Sequence, residues 1–346
     1  MKQIVIIGGG ISGLSAAWEL QQSAASALQI TVLEQDNRWG GKVLTQTMPG
    51  PNGGTFIIDA GPESFVTRKR EIWTLTRELG LQDRVIDPGG EATGTYVLDG
   101  GKPYPLPLSP GAMIKTPLLS TRGKLRMLAE PFMPRKEDDG DESLADFVSR
   151  RLGGEALEKF IGPVLGGIYN TDPQAQSILV TSPVMREMER DHRSLVLATI
   201  ARMRTRRKAA PEVDPPPSRF IGFEHGAQEM VDALVDQLAA TMRLSAAVQQ
   251  IEKADQGYKV IMADGERIAA DAIIIATPAN VTARLLANAA PEAATLLEQI
   301  KHNSIGTISL AYDEAEINLA EPIRGLMIPR REKRRIDAVV WTSAKI

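Results

Sequence analysis

The sequence predicts an α/β fold in which a discontinuous domain with a parallel sheet is interrupted by a helical insertion, and three observations predict it. An Ile- and Val-rich run at residues 3–7 meets a glycine turn, then a helical stretch at 12–22, then a second strand-like run at 30–33. Strand, tight turn, helix and strand in that order make a βαβ unit with parallel pairing. Helical patterns dominate residues 118–208, and sheet patterns return after residue 218. A return to sheet after helices implies that the first domain resumes beyond the insertion.

The 346 residues allow two or three domains at about 100–200 residues each. Hydrophobic residues make up 43% and charged residues 24%, the balance of an ordinary globular chain and not of a disordered or fibrous one. A net charge of -3 gives no overall drive toward nucleic acid or anionic lipid. With no cysteine, disulfides, thiolate nucleophiles, iron–sulfur clusters and cysteine zinc sites are excluded together. The three histidines, His192, His225 and His302, include no pair at metal-ligand spacing. The apolar stretch at 4–18 is interrupted by Gly8, Gly9 and Gly10, which a signal peptide has no use for. No run reaches the roughly 18–20 apolar residues of a transmembrane helix, so at most peripheral membrane contact is expected.

The remaining elements follow in order. Residues 53–62 read as a short strand between glycines, and 69–79 as a helix stopped by Gly80. Residues 89–117 are dense in Gly and Pro, with a strand candidate at 96–98, and mark a domain boundary or a layered β region. The helical stretch is broken by the acidic loop 136–142 and closes at Pro215, Pro216 and Pro217, a stiff linker. A helix at 228–239 follows Gly226. Asp255-Gln256-Gly257 and Asp264-Gly265 signal two hairpins, and the strand at 272–276 ends at Thr277-Pro278. The expected division is 1–85 with 218–283 for a nucleotide domain, 86–114 with 284–346 for an α+β substrate domain, and 115–217 for a helical domain plus linker.

The chemistry begins at the glycine turn. Gly8-x-Gly10-x-x-Gly13, with Gly9, Ile11 and Ser12 between, lies between strand and helix, where backbone N–H groups and a helix N-terminus can approach a pyrophosphate. Glu34 ends the second strand 21 residues after Gly13, the place to accept hydrogen bonds from ribose hydroxyls, with Gln35 beside it. NAD and FAD both fit that fingerprint. Arg38-x-Gly40-Gly41-Lys42-Val43-x-Thr45 follows directly; alone it is a solvated surface loop, and in register with the fingerprint it can close over the same pyrophosphate. Basic runs at Arg202, Arg204, Arg206, Arg207, Lys208 and at Arg330, Arg331, Lys333, Arg334, Arg335 read as solvated, since no interleaved aromatics support stacking on bases.

The loop at 38–45 resembles the second FAD motif of the flavin family that contains monoamine oxidases, phytoene desaturases and protoporphyrinogen oxidases. Asp59-Ala60-Gly61-Pro62-Glu63-Ser64-Phe65 with Arg68-Lys69-Arg70 is similar to the stretch that, in bacterial protoporphyrinogen and coproporphyrinogen oxidases of the Gram-positive type, passes under the flavin into the substrate pocket. Pro163 to Tyr169 with Asp172, His192-Arg193-Ser194-Leu195, and residues 220–234 resemble the same branch. The resemblance covers the chain from end to end, and Gly61 to Ser64 with Gly166 to Tyr169 is specific to porphyrinogen oxidases within the superfamily.

The resemblance implies a Rossmann-like FAD-binding domain, with FAD held noncovalently by Gly8, Gly9, Gly10, Ile11, Ser12, Gly13, Glu34, Gln35, Arg38, Gly40, Gly41, Lys42 and Val43. It places Gly61, Pro62, Glu63 and Ser64 at the flavin ring, Val248 at the adenine and Thr277 at a strand end packed on the cofactor. It makes Lys69, and less directly Arg68, the partner of a substrate propionate at the pocket mouth; alone, Lys69 is a solvated lysine. Gly167 would offer a carbonyl near the macrocycle and Tyr169 would pack beside it; alone, they are turn and core residues.

The implied activity is oxygen-dependent, six-electron oxidation of coproporphyrinogen III, and also of protoporphyrinogen IX, in haem biosynthesis. The hydride goes to FAD, and no protein side chain stands out as acid or base. The implied partners are the porphyrinogen, O2 and ferrochelatase-type enzymes, with no nucleic acid and no metal, and the implied location is cytoplasmic. Members of the branch continue past the position of Ile346, so the chain is expected to be C-terminally truncated, with the strand-like run at 337–342 seeking partners downstream.

Overall fold

Strand Lys2–Ile7 lies at the heart of a four-stranded parallel sheet in the order Thr241–Arg243, Leu28–Leu33, Lys2–Ile7, Ala272–Ile275. The computed structural model describes residues 1–24, 27–50, 53–88, 94–208, 215–312 and 323–342. Successive side chains of a strand point to opposite faces. Ile4 and Ile6 therefore enter the core shared with Leu14, Ala17 and Trp18 of helix Ile11–Ala24, while Val5 and Ile7 enter a second core with Ile251, Val260 and Leu285. Burial on both faces explains the unbroken apolar run, and each such side chain contributes about 1.5–3 kcal/mol.

The chain divides into two compact units, Met1–Pro88 with Pro216–Ala311, and Gly89–Pro215 with Tyr312–Ile346. The first holds the parallel sheet, so the α/β class and the interruption expected from the sequence are both observed. It also holds the antiparallel sheet Val248–Lys253, Tyr258–Met262, Arg267–Ala270, whose turns carry Gly257 at φ +73° and Gly265 at φ +91°. The sequence expectation ends the first domain at residue 283, whereas the observed unit runs to Ala311, because Leu285, Leu286 and Ala289 pack into the core under that sheet.

In the second unit, helices surround Leu144, Phe147, Val148 and Ile178, beside a sheet in the order Ala338–Val340, Gly325–Met327, Thr95–Asp99, Lys102–Pro105. The run at 337–342 finds one partner upstream: Ala338–Val340 pairs antiparallel with Gly325–Met327 and forms an edge of the sheet among the described residues. Of the second basic run, Arg331 pairs with Asp99 at 3.0 Å and is not merely solvated. The side chains of Arg206, Arg207 and Lys208 lie outside the described residues. Among the described residues no helix is long and apolar enough to cross a membrane.

Charge organises this unit from within. Arg151 and Glu130 are both fully buried and paired. The Glu130 carboxylate also accepts the Ser194 hydroxyl and the N–H groups of Leu195 (2.9 Å) and Val196, capping helix Leu195–Lys208. Arg151 reaches the carbonyls of Met133 and Arg193 at 2.9 Å. Buried Glu189 takes Arg150 and Arg186. The motif His192 to Leu195 thus folds as a turn around a carboxylate, with Arg193 at φ +61°.

Burial pushes the Glu130 carboxyl up, but its hydrogen bonds from Ser194, Leu195 and Arg151 outweigh that and hold it below its ordinary 4.5. Burial likewise pushes Glu189 up, but the hydrogen bonds from Arg150 and the charges of Arg150 and Arg151 outweigh it, so this carboxyl too is held below its ordinary value. A carboxyl depressed on folding stabilises the fold above its unfolded value and loses that contribution as pH falls through its folded value. Acid titration followed by circular dichroism should therefore show the helical unit losing stability below pH 4.5. Glu130→Ala, which strands buried Arg151, should cost about 3–5 kcal/mol at neutral pH in a denaturant melt.

Candidate functional site

The expected cofactor residues of the first unit gather at the carboxyl ends of the parallel strands, where open α/β sheets bind ligands. The turn from strand Lys2–Ile7 into helix Ile11–Ala24 is possible only without side chains. Gly8 has φ +111°, and a Cβ at Gly13 would lie 1.9 Å from the Gly8 carbonyl oxygen. At Gly9 it would strike the Trp39 ring at 2.4 Å. The helix so placed has no acidic side chain in its first turn, so an anion at its N-terminus meets the positive end of the dipole and no like charge.

Glu34 is buried at the end of strand Leu28–Leu33. Its carboxylate accepts the Gly9 N–H at 2.7 Å and the Asp36 N–H at 2.9 Å, which fixes it against the glycine turn. Each oxygen keeps a second lone pair for a hydroxyl donor. Gln35 beside it is exposed. The Glu34 carbonyl takes the Ala246 N–H at 2.8 Å, which brings the start of strand Val248–Lys253 to the same corner. Thr277 arrives from the neighbouring strand end, its methyl 3.4 Å from where a Gly8 Cβ would be.

The loop after Glu34 folds back on the turn. The Gly40 N–H donates to the Gly9 carbonyl at 2.9 Å, and Gly41 (φ +57°) approaches Gly10 so closely that a Cβ would be 3.1 Å from its Cα. Arg38 is turned into its own loop, donating to the carbonyls of Trp39, Gly41 and Val43 (3.1 Å). It therefore shapes the loop, while Lys42 stays exposed and Val43 is buried. The next loop is stacked on this one: a Cβ at Gly61 would lie 2.0 Å from the Lys42 carbonyl oxygen. Pro62 is exposed, and Glu63 and Ser64 are half-buried.

A glycine-walled cradle at a helix N-terminus, closed by a basic loop and flanked by a fixed carboxylate, fits the diphosphate and ribose of a dinucleotide. The sequence did not reveal Trp39 as the wall behind Gly9, nor the pairing of Thr45 with Asp59. Both depend on contacts that no spacing rule encodes.

The substrate candidates divide between the units. Arg68 and Lys69 are exposed in the first. They are not on a helix as expected, since helix Glu71–Glu78 begins later. Thr67, in the turn before that helix, donates its N–H to the Arg219 carbonyl (3.0 Å) and its hydroxyl to the Ser218 carbonyl (2.6 Å). In the second unit, Gly167 and Tyr169 end helix Gly162–Tyr169. Gly167 lines a cavity of about 300 Å³ with Gly166, Asp172 and Arg330, and the Tyr169 hydroxyl donates to the Thr181 carbonyl at 3.0 Å. No metal-type cluster of His, Asp and Glu exists among the described residues.

Fold and site define a dinucleotide-binding α/β protein, and the family to which it belongs makes it an FAD-dependent oxidoreductase. The chain belongs to the flavin containing amine oxidoreductase family, whose description matches residues 11–342. It is 32% identical to the coproporphyrinogen III oxidase of Propionibacterium freudenreichii subsp. freudenreichii, over 93% of this chain and 66% of that protein. It is 31% identical to the Staphylococcus aureus coproporphyrinogen III oxidase, over 99% of this chain and 74% of that one. The chain thus spans about two thirds to three quarters of these relatives. A crystal structure from Exiguobacterium sp. 255-15 shares the fold with a TM-score of 0.76 at 24% identity, covering 100% of this chain and 74% of that one.

The site predicts its own sensitivities. Gly61→Ala should push the loops at 42 and 61 apart and release FAD, seen as recovered flavin fluorescence in solution. Glu34→Ala should weaken FAD by about 1–3 kcal/mol in a titration of the apoprotein, through loss of a charge-assisted contact.

Proposed function

We propose that this protein oxidises coproporphyrinogen III to coproporphyrin III in haem biosynthesis, and protoporphyrinogen IX to protoporphyrin IX as a second activity. The observation that carries the reading is identity of about 31% to a coproporphyrinogen III oxidase over nearly the whole chain, beside a glycine-walled cradle that fits a dinucleotide. Bound FAD supplies the two-electron acceptor for a hydride leaving the saturated meso carbon. Three dioxygen molecules take up the six hydrogens removed from the tetrapyrrole, as three hydrogen peroxide molecules.

The chain's own part is binding and orientation. The N-terminus of helix Ile11–Ala24 and the loop around Gly40 and Gly41 would hold the diphosphate, Glu34 the ribose, and the backbone at Val248 the adenine. The segment from Gly61 to Ser64, with Thr277, would border the flavin. Lys69, exposed and cationic, would meet a substrate propionate, with Arg68 as a further cation. Gly167 would offer its carbonyl to the macrocycle, and Tyr169 would pack beside it. A cytoplasmic location and a ferrochelatase-type enzyme as consumer of the porphyrin complete the reading.

Anaerobic mixing of the FAD-loaded protein with coproporphyrinogen III should bleach the flavin and produce porphyrin fluorescence. Bleaching by amines or phytoene and not by porphyrinogens would replace this reading with another activity of the family. Lys69→Ala should raise KM more for coproporphyrinogen, which carries four propionates, than for protoporphyrinogen, which carries two. An exposed ion pair implies about 1 kcal/mol. Identical kinetics would leave Lys69 an ordinary surface lysine.

A further inference from the structure

We propose that Thr45 and Asp59 are positioning residues for FAD, a clasp that ties one helix N-terminus to both loops bordering the cofactor; the proposal rests on the FAD assignment above. The two residues face each other across the hairpin Thr45–Pro49/Thr55–Asp59. The Thr45 hydroxyl donates to Asp59 Oδ1. That oxygen also accepts the Ala227 N–H at 3.0 Å, and Thr45 Oγ1 accepts the Gln228 N–H at 3.0 Å. Helix Gln228–Gln237 has Ala227 as N-cap, which has no side chain able to cap. Its first donors are therefore satisfied from the hairpin, and Asp59 adds a negative charge where the helix dipole favours one.

Gly226 makes the approach possible. At φ +89°, a Cβ there would lie 2.4 Å from Thr45 Cγ2 and 2.9 Å from Asp59 Oδ1. The clasp acts on both loops because of where its members lie. Thr45 is three residues beyond Lys42, Asp59 is two before Gly61, and the Ala60 N–H donates to the Leu44 carbonyl at 2.8 Å. The helix also backs the first loop: Gln228 Oε1 and Val231 Cγ1 would each be 3.3 Å from a Cβ at Gly40. The Gln228 amide is oriented by its Nε2 donating to Asp232 at 3.1 Å. Releasing the clasp frees the helix end and both loops together, while every group expected to face the cofactor stays chemically intact.

A helix cap alone would affect folding only, so the test separates the two roles. FAD affinity is measured by quenching of flavin fluorescence, the flavin environment by visible circular dichroism, and folding by thermal melts of the apoprotein. Thr45→Val should weaken FAD by about tenfold, as expected for one lost hydrogen bond in a charged network, and should change the flavin dichroism. Thr45→Ser should restore both, and Asp59→Asn should resemble Thr45→Val. If Asp59→Asn does not fold, the Val and Ser variants of Thr45 still decide. A lowered melting point for Thr45→Val with FAD affinity and dichroism unchanged would overturn the proposal. Failure of the parent and Thr45→Ser alike to bind FAD would instead overturn the cofactor assignment beneath it.

Discussion

The first unit depends on one backbone approach: Gly13, in the first helical turn, lies against the carbonyl of Gly8, at a distance that no other residue allows. That contact sets the angle at which helix Ile11–Ala24 leaves strand Lys2–Ile7. It thereby decides that Leu14, Ala17 and Trp18 meet Ile4 and Ile6. The same geometry aims the helix N-terminus out of the sheet, so the packing of the helix and the direction of its N-terminal N–H groups arise from one missing side chain.

From that turn the site grows by further close approaches. Gly40 pairs with Gly9, Gly41 lies over Gly10, and Gly61 lies over Lys42. Three chain segments far apart in sequence are layered through their backbones, and the side chains present act mainly on the layers. Glu34 holds the Gly9 N–H, and Arg38 holds the carbonyls of its own loop. A site built this way has little freedom to drift, which suits a cofactor whose reactive ring must keep a fixed place relative to its substrate.

The second unit follows a different principle. Its cavity is lined by backbone of the Gly166 and Gly167 segment, but its helices are organised by buried charge. Burying Arg151, Glu130 and Glu189 is costly unless every donor and acceptor is met. The carbonyls of Met133 and Arg193, the Ser194 hydroxyl and the N–H of Leu195 meet them. The arrangement specifies one way for helices Leu144–Arg151, Pro183–His192 and Leu195–Lys208 to come together.

By itself the sequence determined what local rules and residue order can encode. The apolar run at 3–7, the fingerprint from Gly8 to Gly13, Glu34 at the next strand end, and the turn signals at Gly257 and Gly265 each reflect short-range geometry. All of them stand in the structure where periodicity placed them. Only the tertiary structure decided the rest. Asp59 meets Ala227 across 168 residues and Glu130 meets Leu195 across 65. Thr67 is tied to the distant Arg219 carbonyl just before helix Glu71–Glu78 begins, and Ala338–Val340 takes its partner from the strand at Gly325–Met327. The physical reason is common to these cases: a polar group removed from water must find a partner wherever the fold brings one. Spacing along the chain records which groups need partners, and three-dimensional packing selects which ones they receive.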